Sequence, residues 1–551
     1  MGTATDVEPV APSTPPGSPR VGSARPSSRR LGTAWWAVLG IMLVSLGVEC
    51  WALQRDLPFT DVDEPTFVRP AVHIAATGDL NPHWFGHPGS TIIYPLAGFY
   101  RAWDTVAHGG PVFSSSPGLT QRYQTSPTEF YIIGRLWVIA LAVGTIPLLF
   151  LLGRRAFSTP VGLVAAALWA IVPLMVQYGR EVRTDSAGVF FTVLSLFLIM
   201  RLLDRPSVLR HALAGTAVGL GIASRYFLVT LVPVLIAAGV IALRRRTPRA
   251  TGWGIVAGVG AAIAVFALAT PYFFLDWAAA HRSLAIEDAP SVAHGGFSPL
   301  GNLRWYLMSS IPSSISWPIA LLAVGGIVLA LVRKPEARRV LLITAVVTLL
   351  VAISASKLHW NRWPLPMLPI AMLFAAYALV TAARAVQARA GQRVFAPAVI
   401  AGVAMLAVIP ARSVVELNVI DSRPSTRVTA REWIRAHLPP GSTVARELKT
   451  APLQGTGLRV KYRSALPIGG WTLDRYRRDG FQYLMTDAGM SDPYTNHPHR
   501  YPREAGFYRQ LSRQACLLHE FRPNADQGGP TIRVYQLTPV AGGCLRTSAT
   551  A

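Results

Sequence analysis

Long apolar runs recur along the chain and alternate with short polar connections. Each run is long enough, or nearly so, to cross the hydrocarbon core of a bilayer, about 30 Å thick, as an α-helix. We predict eleven transmembrane helices, to within one or two, because the run at 211–224 is short. The runs cover residues 33–53, 131–152, 160–177, 186–203, 211–224, 227–243, 252–274, 312–332, 339–355, 363–383 and 394–411.

The composition agrees with a membrane protein. Hydrophobic residues make up 51% of the 551 residues and charged residues only 15%, which lies outside the range of soluble globular domains. The net charge of +24 would suggest nucleic acid if it lay on one soluble patch. The Lys and Arg residues lie instead mostly in short clusters between apolar runs and in the tail, which predicts contact with membrane lipids and no nucleic-acid partner.

Basic residues are clustered on alternate connections between the runs. The positive-inside rule makes those connections cytoplasmic. The chain is then a multi-pass protein of the plasma or inner membrane, with a cytoplasmic N-terminus and an extracytoplasmic C-terminus. The outward segments are the loops at 54–130 and 275–311, the turns near 178–185, 225 and 356–362, and everything after 412.

Polar segments flank the transmembrane domain, which we place at residues 31–411. Residues 1–30 are rich in Pro, Ser and Gly and lack apolar periodicity, which predicts a disordered cytoplasmic tail. Residues 412–551 mix helical spacing with short strand patterns, after the turn at 439–441 and at 480–486, 516–521 and 531–537, and predict a small extracytoplasmic α/β domain. Cys516 and Cys544 lie there and can form one disulfide if the domain is extracytoplasmic. The predicted fold is mainly α, a polytopic membrane helical bundle with a small α/β domain.

The first outward loop begins with three acidic residues, Asp61, Asp63 and Glu64. Asp-Glu-Pro is typical of an N-cap followed by proline at the first helical position. Capping needs only one acidic residue, however, and three lie here beside the membrane surface. A carboxylate half-buried against apolar helices suits a general base, so capping and catalysis both stay open for Asp63 and Glu64.

The same loop carries His73, His83, His87 and Tyr94. The spacing of His83 and His87 suits a metal site on a helix, but the adjacent prolines argue against a regular helix that presents both rings on one face. Histidines and aromatic residues are also ordinary at a lipid headgroup layer. We favour hydrogen bonding, or binding of an acceptor or a sugar, for His83, His87 and Tyr94, and we expect no metal.

A short outward turn runs from Tyr178 to Asp185 and contains Arg180 and Arg183. Thr184 and Asp185 can simply cap the helix that follows. Two arginines and two carboxylates are nevertheless more charge than so short a turn requires. Arg180, Arg183 and Asp185 are therefore candidate site residues.

A third charged group contains Lys357, His359 and Arg362. Side chains that snorkel to lipid headgroups are the alternative explanation for these residues. These cations, like Arg225 and the two arginines of the turn, lie on the side where the positive-inside rule disfavours them. Their presence there suggests an anionic ligand, and a lipid phosphate at the outer leaflet is the natural candidate.

The chain lacks the motifs of several other functions. It has no Walker sequence, no quartet of zinc ligands and no Gly-x-Ser-x-Gly elbow. The glycine-rich stretches at 215–221 and 252–260 follow no predicted strand, so they predict helix packing and not nucleotide binding. ATP hydrolysis is not expected.

The charged motifs resemble those of a known family in their order and placement. Asp63-Glu64-Pro, continued by residues 77–88, is similar to the first outer loop of the C-type glycosyltransferases of the protein O-mannosyltransferase and aminoarabinose-transferase superfamily. The turn at 178–185 looks like the second acidic turn of that family, and residues 359–369 resemble its late aromatic, basic and Pro-rich segment. The C-terminal region resembles the outer domain of many bacterial members.

This resemblance implies inverting transfer of a monosaccharide from a polyprenyl-phosphate donor to a hydroxyl of an envelope glycan, lipid or protein. Asp63 would be the general base, with Glu64 supporting it and Asp185 orienting the sugar or acceptor. The residues that would hold the donor phosphate are Arg180, Arg183, Arg225, Lys357 and Arg362. The residues that would contact the acceptor or sugar are His83, His87, Tyr94 and His359.

Some features of the resemblance are less direct. Arg225 stands where many relatives have lysine, which keeps the charge but changes the donor geometry. Glu287 and Asp288 are further candidates that could help close the site. The mechanism needs no metal ion or other cofactor, although some relatives with different acceptors use a metal.

Two other functions stay open at this stage. A transporter or flippase is expected to show inverted repeats and ionisable or broken-helix features near mid-membrane, whereas here the charges lie at the outer helix ends and no repeat is seen. A non-catalytic scaffold for envelope assembly would keep the fold without the chemistry.

Overall fold

A helical bundle forms most of the molecule, and a single β-sheet lies toward the C-terminal end. The structure is a computed structural model and describes residues 28–57, 63–111, 114–244, 248–287, 298–333, 335–453, 456–462 and 470–537. The predicted tail up to residue 27, together with Asp61, Asp288 and Cys544, lies outside the described residues.

The helices follow the apolar runs of the sequence closely. Before the first bend they are α1 (Ser28–Cys50), α2 (Glu64–Thr77), α3 (Ser90–His108), α4 (Pro117–Thr125), α5 (Thr128–Ala156) and α6 (Thr159–Trp169). The next are α7 (Pro173–Gly179), α8 (Asp185–Asp204), α9 (Val208–Ser224), α10 (Leu231–Leu243), α11 (Pro248–Ala269), α12 (Pro271–Leu275) and α13 (Trp277–Glu287). The last of the bundle are α14 (Pro299–Trp305), α15 (Ile311–Ile315), α16 (Trp317–Val332), α17 (Ala337–Ser354), α18 (Leu368–Ala390) and α19 (Phe395–Asp421).

The number of membrane spans is close to the predicted one. In the described residues, eight helices are long and apolar enough to cross a membrane, or ten if each of two bent pairs is one span. The predicted run at 211–224 corresponds to α9, which has 17 residues and is shorter than the others. A multi-pass helical membrane protein is thereby confirmed, and eleven was an approximate count.

Both bent pairs have local causes. α6 and α7 meet at 62°, where Val172 is extended and Pro173 begins α7, because the residue before a proline avoids the helical region. The second pair consists of the helical stretch Pro299–Ile315 and α16, which meet at 116°. The bend lies at Ser316, whose φ of +74° is unusual for a residue other than glycine. Each break therefore follows from one or two residues.

Small residues set the closest helix packing. A Cβ atom on Gly215 of α9 would lie 1.9 Å from the carbonyl oxygen of Gly258 in α11. No larger residue fits at Gly215 without separating the two helices. The helix-packing interpretation of these glycine-rich stretches is confirmed.

The segment predicted as the first outward loop, residues 54–130, is largely helical in its described part. α2, α3 and α4 bury a common apolar cluster with α5, which includes Phe67, Leu96, Tyr100, Leu119 and Phe130. This buried face stabilises the segment as a compact helical layer.

The C-terminal region contains the predicted α/β fold. Its strands are β1 (Thr443–Arg446), β2 (Arg459–Tyr462), β3 (Tyr483–Asp487), β4 (Cys516–Phe521) and β5 (Ile532–Gln536). Its helices are α20 (Thr426–His437), α21 (Leu473–Arg478), α22 (Ala488–Asn496) and α23 (Pro502–Gln514). The sheet order is β2-β1-β3-β5-β4, with β1 parallel to β2 and β3, and β5 antiparallel to β3 and β4.

The last transmembrane helix extends beyond its predicted end at 411. α19 continues to Asp421, and its final turns carry polar residues such as Arg412 and Glu416, which form an exposed i,i+4 pair. Hydropathy detects the apolar part of a helix and not its polar continuation, so the end predicted from the sequence lies before the true end of the helix.

In the C-terminal region, Cys516 is disulfide-bonded, whereas Cys50 of α1 is free.

Candidate functional site

Asp63 immediately precedes α2, and its side chain makes no capping hydrogen bond. Its Oδ2 lies 2.5 Å from Nη2 of Arg183 and 3.5 Å from Nη1 of Arg362. The Asp63 side chain is 32% exposed, whereas those of both arginines are below 10%. The capping interpretation is therefore wrong for this side chain, and the carboxylate faces cations where the sequence predicted apolar helices.

A second carboxylate, Asp185, is buried at the first residue of α8. Its Oδ1 lies 2.7 Å from Nη2 of Arg225, and its Oδ2 lies 3.5 Å from Nε of Arg183. Nε of Arg225 also donates to the hydroxyl of Thr184 at 3.4 Å. Arg183 thus contacts both carboxylates and links Asp63 to Asp185.

Aromatic rings support two of these guanidinium groups. Arg183 and Arg362 lie 5.3 Å and 6.0 Å from the ring centroid of Tyr178, and Arg362 lies 4.6 Å from the ring of Trp360. Stacking of this kind uses the face of the guanidinium and not its N–H donors. The rings can therefore orient the arginines toward a ligand.

We call Asp63, Arg183, Asp185, Arg225 and Arg362 the site cluster. Among the described residues, three cations face two carboxylates in it, which leaves an excess of one positive charge within this set. Nη1 of Arg225 and Nε of Arg362 are buried and have no hydrogen-bond partner among the described residues. Buried donors with excess positive charge form a suitable site for an anion such as a phosphate.

Glu64 belongs to a different set of contacts. It is fully buried, and its two oxygens accept from Nε and Nη2 of Arg135 at 2.9 and 2.8 Å. Oε1 also accepts the backbone N–H of Val182 at 3.0 Å, and Arg135 donates further to the carbonyls of Leu53 and Arg55. These contacts indicate that Glu64 stabilises the start of α2 and does not face a substrate.

Arg180 is also held away from the predicted phosphate site. It donates to the side chains of Asn418 and Asp421 near the end of α19. Asp421 lies 3.4 Å from Nε of Arg55 as well. Nη1 and Nη2 of Arg180 therefore attach the 178–185 turn to the last transmembrane helix, and its predicted role in donor binding is not supported by this arrangement.

We call this second set the anchor cluster. Its members are Arg55, Asp56, Glu64, Arg135, Arg180, Glu181, Asp421 and Arg427. Four cations and four carboxylates balance one another, and six of the residues line a narrow internal cavity. Glu181 connects the two sets, since its oxygens lie 3.1 Å from Arg55 and 3.3 Å from Arg183.

Lys357 and His359 lie in the same turn as Arg362, and the contacts described for them lie outside the site cluster. Lys357 is exposed, and the carbonyl of the preceding Ser356 accepts from Asn302 at 2.9 Å. The ring of His359 packs edge-on against Trp305 of α14 at 4.4 Å. The structure thus brings together five of the eight residues predicted for catalysis and donor binding, and Lys357 is not among them.

The loop between α2 and α3 lies beside the site cluster. The carbonyl of Phe85 accepts from the hydroxyl of Tyr226, the residue after Arg225, at 2.9 Å. Tyr94 donates to the carbonyl of Leu80 at 3.1 Å and so holds the same loop. Nε2 of His87 lies 3.7 Å from Oε2 of Glu287.

The environment keeps His87 neutral. Burial lowers the pKa of His87 to about 4, and the charges of Arg183 and Arg225 lower it too, whereas Asp63 acts in the opposite direction. Burial also raises the pKa of Glu287, and Asp63 adds to this effect. The contact between His87 and Glu287 is therefore not an ion pair at neutral pH, and the neutral imidazole can both donate and accept a hydrogen bond.

His83 has a different partner from the one its spacing suggested. It adopts a φ of +54°, which is incompatible with a helix running from His83 to His87. Its Nε2 lies 3.2 Å from Asp79, which also contacts His73, so these three residues form the cluster that could hold a metal in the described part of the chain. Spacing alone missed this set because the turn at Gly78 brings it together.

Comparisons with known proteins agree with this geometry. Residues 131–273 match the dolichyl-phosphate-mannose-protein mannosyltransferase family, and they include three of the five site-cluster residues. An undecaprenyl phosphate-alpha-4-amino-4-deoxy-L-arabinose arabinosyl transferase of Pseudomonas aeruginosa is 32% identical over 165 residues, 28% of this chain and 30% of that protein. The match thus spans less than a third of this curated relative.

The fold extends the likeness over nearly the whole chain. ArnT from Cupriavidus metallidurans superimposes with a TM-score of 0.55 at 13% identity, over 92% of this chain and 98% of that one. The oligosaccharyltransferase of Archaeoglobus fulgidus superimposes with a TM-score of 0.52 at 11% identity, over 90% and 74%. This chain has the fold of the C-type glycosyltransferases. The resemblance inferred from the sequence motifs is confirmed.

Within this C-type fold, sequence reasoning missed two supporting residues. Arg135 lies in the apolar α5 and carries the buried pair with Glu64, and Tyr178 faces two arginines of the site cluster. A lone arginine in an otherwise apolar run is itself a signal of a buried partner. No comparable signal identifies Tyr178, because one of the two arginines that it faces, Arg362, is more than 180 residues away in the sequence.

Proposed function

We propose that this chain is a membrane glycosyltransferase that moves a monosaccharide from a polyprenyl-phosphate donor to a hydroxyl of an envelope glycan, lipid or protein. The observation that carries the proposal is the site cluster, in which one partly exposed carboxylate lies against buried guanidinium groups with excess positive charge. A phosphate leaving group needs cations, and an acceptor hydroxyl needs a base.

Relatives whose ligands or substrates are known support this donor class. The Pseudomonas aeruginosa relative is named for undecaprenyl phosphate-linked aminoarabinose. Structures of similar fold contain undecaprenyl phosphate, in ArnT from Cupriavidus metallidurans, and dolichol-phosphate, in the oligosaccharyltransferase of Archaeoglobus fulgidus. A long-chain isoprenoid phosphate is the chemistry that these names share.

In the proposed reaction Asp63 is the general base. Its carboxylate takes the proton of the acceptor hydroxyl while the acceptor oxygen forms a bond to the anomeric carbon. The bond between that carbon and the phosphate oxygen breaks, and the phosphate leaves with the electron pair. Attack on the face opposite the phosphate in a single displacement inverts the anomeric configuration.

The three arginines of the site cluster have two different roles in the proposed reaction. Arg225 and Arg362 have buried N–H groups that can bind the phosphate oxygens and stabilise the charge that develops as the donor bond breaks. Arg183 holds Asp63 in place through the 2.5 Å contact. Asp185, which pairs with Arg225 and Arg183, orients these two arginines and is a positioning residue.

Other predicted residues take roles at the edge of the site. Neutral His87 suits hydrogen bonding to a sugar or acceptor hydroxyl. Tyr94 holds the loop that carries His87 and His83, and Lys357 and His359 lie in the turn that carries Arg362. The mechanism uses no metal ion.

In the proposed topology the N-terminus is cytoplasmic, and the site and the α/β domain are extracytoplasmic, as the basic clusters predict.

The test is envelope analysis in a strain that lacks the gene. Mass spectrometry of its glycans, lipids and glycoproteins should reveal one missing sugar, which wild-type protein restores and Asp63→Asn does not. Asp479→Asn, which changes an exposed carboxylate of the α/β domain, should restore it fully. Full restoration by Asp63→Asn at equal abundance would contradict catalysis and would favour a transporter or a scaffold.

A further inference from the structure

Two histidines converge on one carboxylate oxygen outside the site cluster. Oδ2 of Asp79 lies 3.6 Å from Nε2 of His73 and 3.2 Å from Nε2 of His83. The ligand atoms of all three residues lie within 4.8 Å of one another. His73 belongs to α2, whereas Asp79 and His83 lie in the loop that follows, so the set joins the helix to the loop.

The two nitrogen–oxygen separations are close to those of a tetrahedral metal site. In a tetrahedron the distance between two ligand atoms is about 1.6 times the metal–ligand distance, and Zn²⁺ bonds His nitrogen and Asp oxygen at about 2.0–2.2 Å. The expected spacing between ligands is therefore about 3.3–3.5 Å. The two observed nitrogen–oxygen distances, 3.2 and 3.6 Å, differ from it by only a few tenths of an ångström.

The loop directs the ligand atoms toward one point. Oδ1 of Asp79 accepts the backbone N–H of Asn81 at 2.9 Å, which leaves Oδ2 directed at the histidines. The side-chain oxygen of Asn81 accepts the N–H of His83 at 2.9 Å and fixes that residue in its left-handed conformation. The ligands are thus positioned by backbone contacts before any metal binds.

A further carboxylate lies behind one of the histidines. Oδ2 of Asp276 lies 4.0 Å from Nδ1 of His83, the nitrogen opposite the one that faces Asp79. Asn81 donates to the same Oδ2 at 3.0 Å, and the Ala279 N–H binds Oδ1 at 3.2 Å. In zinc sites a carboxylate commonly accepts a hydrogen bond from the far nitrogen of a ligating histidine. Asp276 lies on that side of the His83 ring, at 4.0 Å, which is beyond hydrogen-bond distance.

We propose that His73, Asp79 and His83 bind a divalent transition metal, with Zn²⁺ as the favoured ion. Two neutral imidazoles and one carboxylate suit Zn²⁺, and the exposed position leaves a fourth site for water. The ion would join α2 to the loop that continues to Phe85 and His87 beside the site cluster. Its role is to fix this loop, and sugar transfer as proposed above is not routed through it.

The binding test uses purified full-length protein without a histidine tag, stripped of metal and titrated with Zn²⁺ and with Co²⁺. The wild type should bind one ion, and Co²⁺ should give the visible spectrum of a tetrahedral site. His73→Gln, Asp79→Asn and His83→Gln should each weaken binding by at least about 100-fold, since even loss of an outer partner costs about 10–100-fold. The control His497→Gln changes an exposed histidine elsewhere and should bind as the wild type does.

Two outcomes would overturn the site. One is wild-type protein that binds no ion at micromolar Zn²⁺, which would leave the cluster as hydrogen bonds between histidines and Asp79. The other is unchanged binding in all three ligand variants. The three side chains are exposed, so elution as a monodisperse species separates loss of metal from loss of folding.

The proposed role of the ion has its own readout. Hydrogen exchange of residues 79–87 should slow when Zn²⁺ is added to the wild type and should not change in His83→Gln. Bound Zn²⁺ without slower exchange would contradict the fixing of the loop while leaving the metal site intact. Neither measurement depends on the glycosyltransferase proposal, because neither measures transfer.

Discussion

Two sets of charged side chains lie next to each other in this protein, and they differ in how completely they are neutralised. In the anchor cluster four cations meet four carboxylates, and the side chain of each carboxylate is at most 12% exposed. In the site cluster three cations meet two carboxylates among the described residues, and Asp63 is 32% exposed. The charges of the anchor cluster balance one another, whereas those of the site cluster leave an excess of one positive charge among the described residues.

The hydrogen bonds show the same contrast in detail. Glu64 and Arg135 form a two-point pair that also receives a backbone N–H and donates to two carbonyls. Arg225 and Arg362 instead each retain a buried N–H without a partner among the described residues. Arg180 of the anchor cluster shares that feature at Nε, so the excess charge and the exposure of Asp63 are the better marks of function.

The largest expected effect on activity comes from Asp63→Asn. Loss of a general base should reduce the transfer rate by about 10²–10⁴-fold. The melting temperature should change little, because the carboxylate is partly solvated. The measurement compares transfer in membranes at equal protein abundance with thermal unfolding in detergent. A large loss of stability in Asp63→Asn would mean that Asp63 has a structural role like that of the anchor-cluster carboxylates.

Glu64→Gln should have the opposite pattern. It leaves Arg135 buried without a charged partner, which should lower the free energy of unfolding by about 3–5 kcal/mol. The transfer rate per folded molecule should stay near the wild-type value, because Glu64 does not face the site. Glu416→Gln is the control, since this exposed pair with Arg412 should contribute little to the free energy of unfolding. Stable but inactive Glu64→Gln protein would restore the catalytic role that the sequence suggested.

The sequence predicted the fold well because the membrane constrains it strongly. Hydropathy located nearly every span, and strand patterns located four of the five strands of the C-terminal sheet. It missed β2 (Arg459–Tyr462), whose four residues include Arg459 and Lys461 and show little apolar character. Short polar edge strands carry almost no signal of this kind.

The candidate site was predicted in its members but not in its grouping. Arg180 and Arg183 are three residues apart in one turn, yet they bind different helices. Asp63 and Glu64 are adjacent, yet they belong to different clusters. In a turn or at a helix start, neighbouring side chains point in different directions, and only the contacts decide which of them share a site.

Substitution of Arg362 tests whether the excess charge serves the donor. Arg362→Gln removes one charge-assisted hydrogen bond, which is worth about 1.5–3 kcal/mol, so kcat/KM for the lipid-linked donor should fall by about 10–100-fold. Arg362→Lys keeps the charge and should recover part of the loss. Arg412→Gln, at an exposed site on α19, is the matched control. An unchanged dependence on donor concentration in Arg362→Gln would remove Arg362 from the donor site.

The smallest expected effect is that of His87 on the pH dependence of stability. The pKa of His87 is lowered from its ordinary 6.5 to about 4, so between these values the unfolded chain binds a proton that the folded chain does not. Stability contributed by neutral His87 is therefore complete above about pH 6.5 and is lost as the pH falls toward 4. The groups that act on it are Asp63, Arg183, Arg225 and Glu287.

His87→Gln should accordingly flatten the fall in melting temperature between pH 6.5 and pH 4. The change should be modest, because the His87 side chain is 32% exposed and water screens its charge. His437→Gln, in the α/β domain, should keep the wild-type slope. An identical slope in His87→Gln would mean that protonation of His87 costs the folded protein little. The site cluster would then be in contact with solvent, and its contrast with the charge-balanced anchor cluster would be weaker.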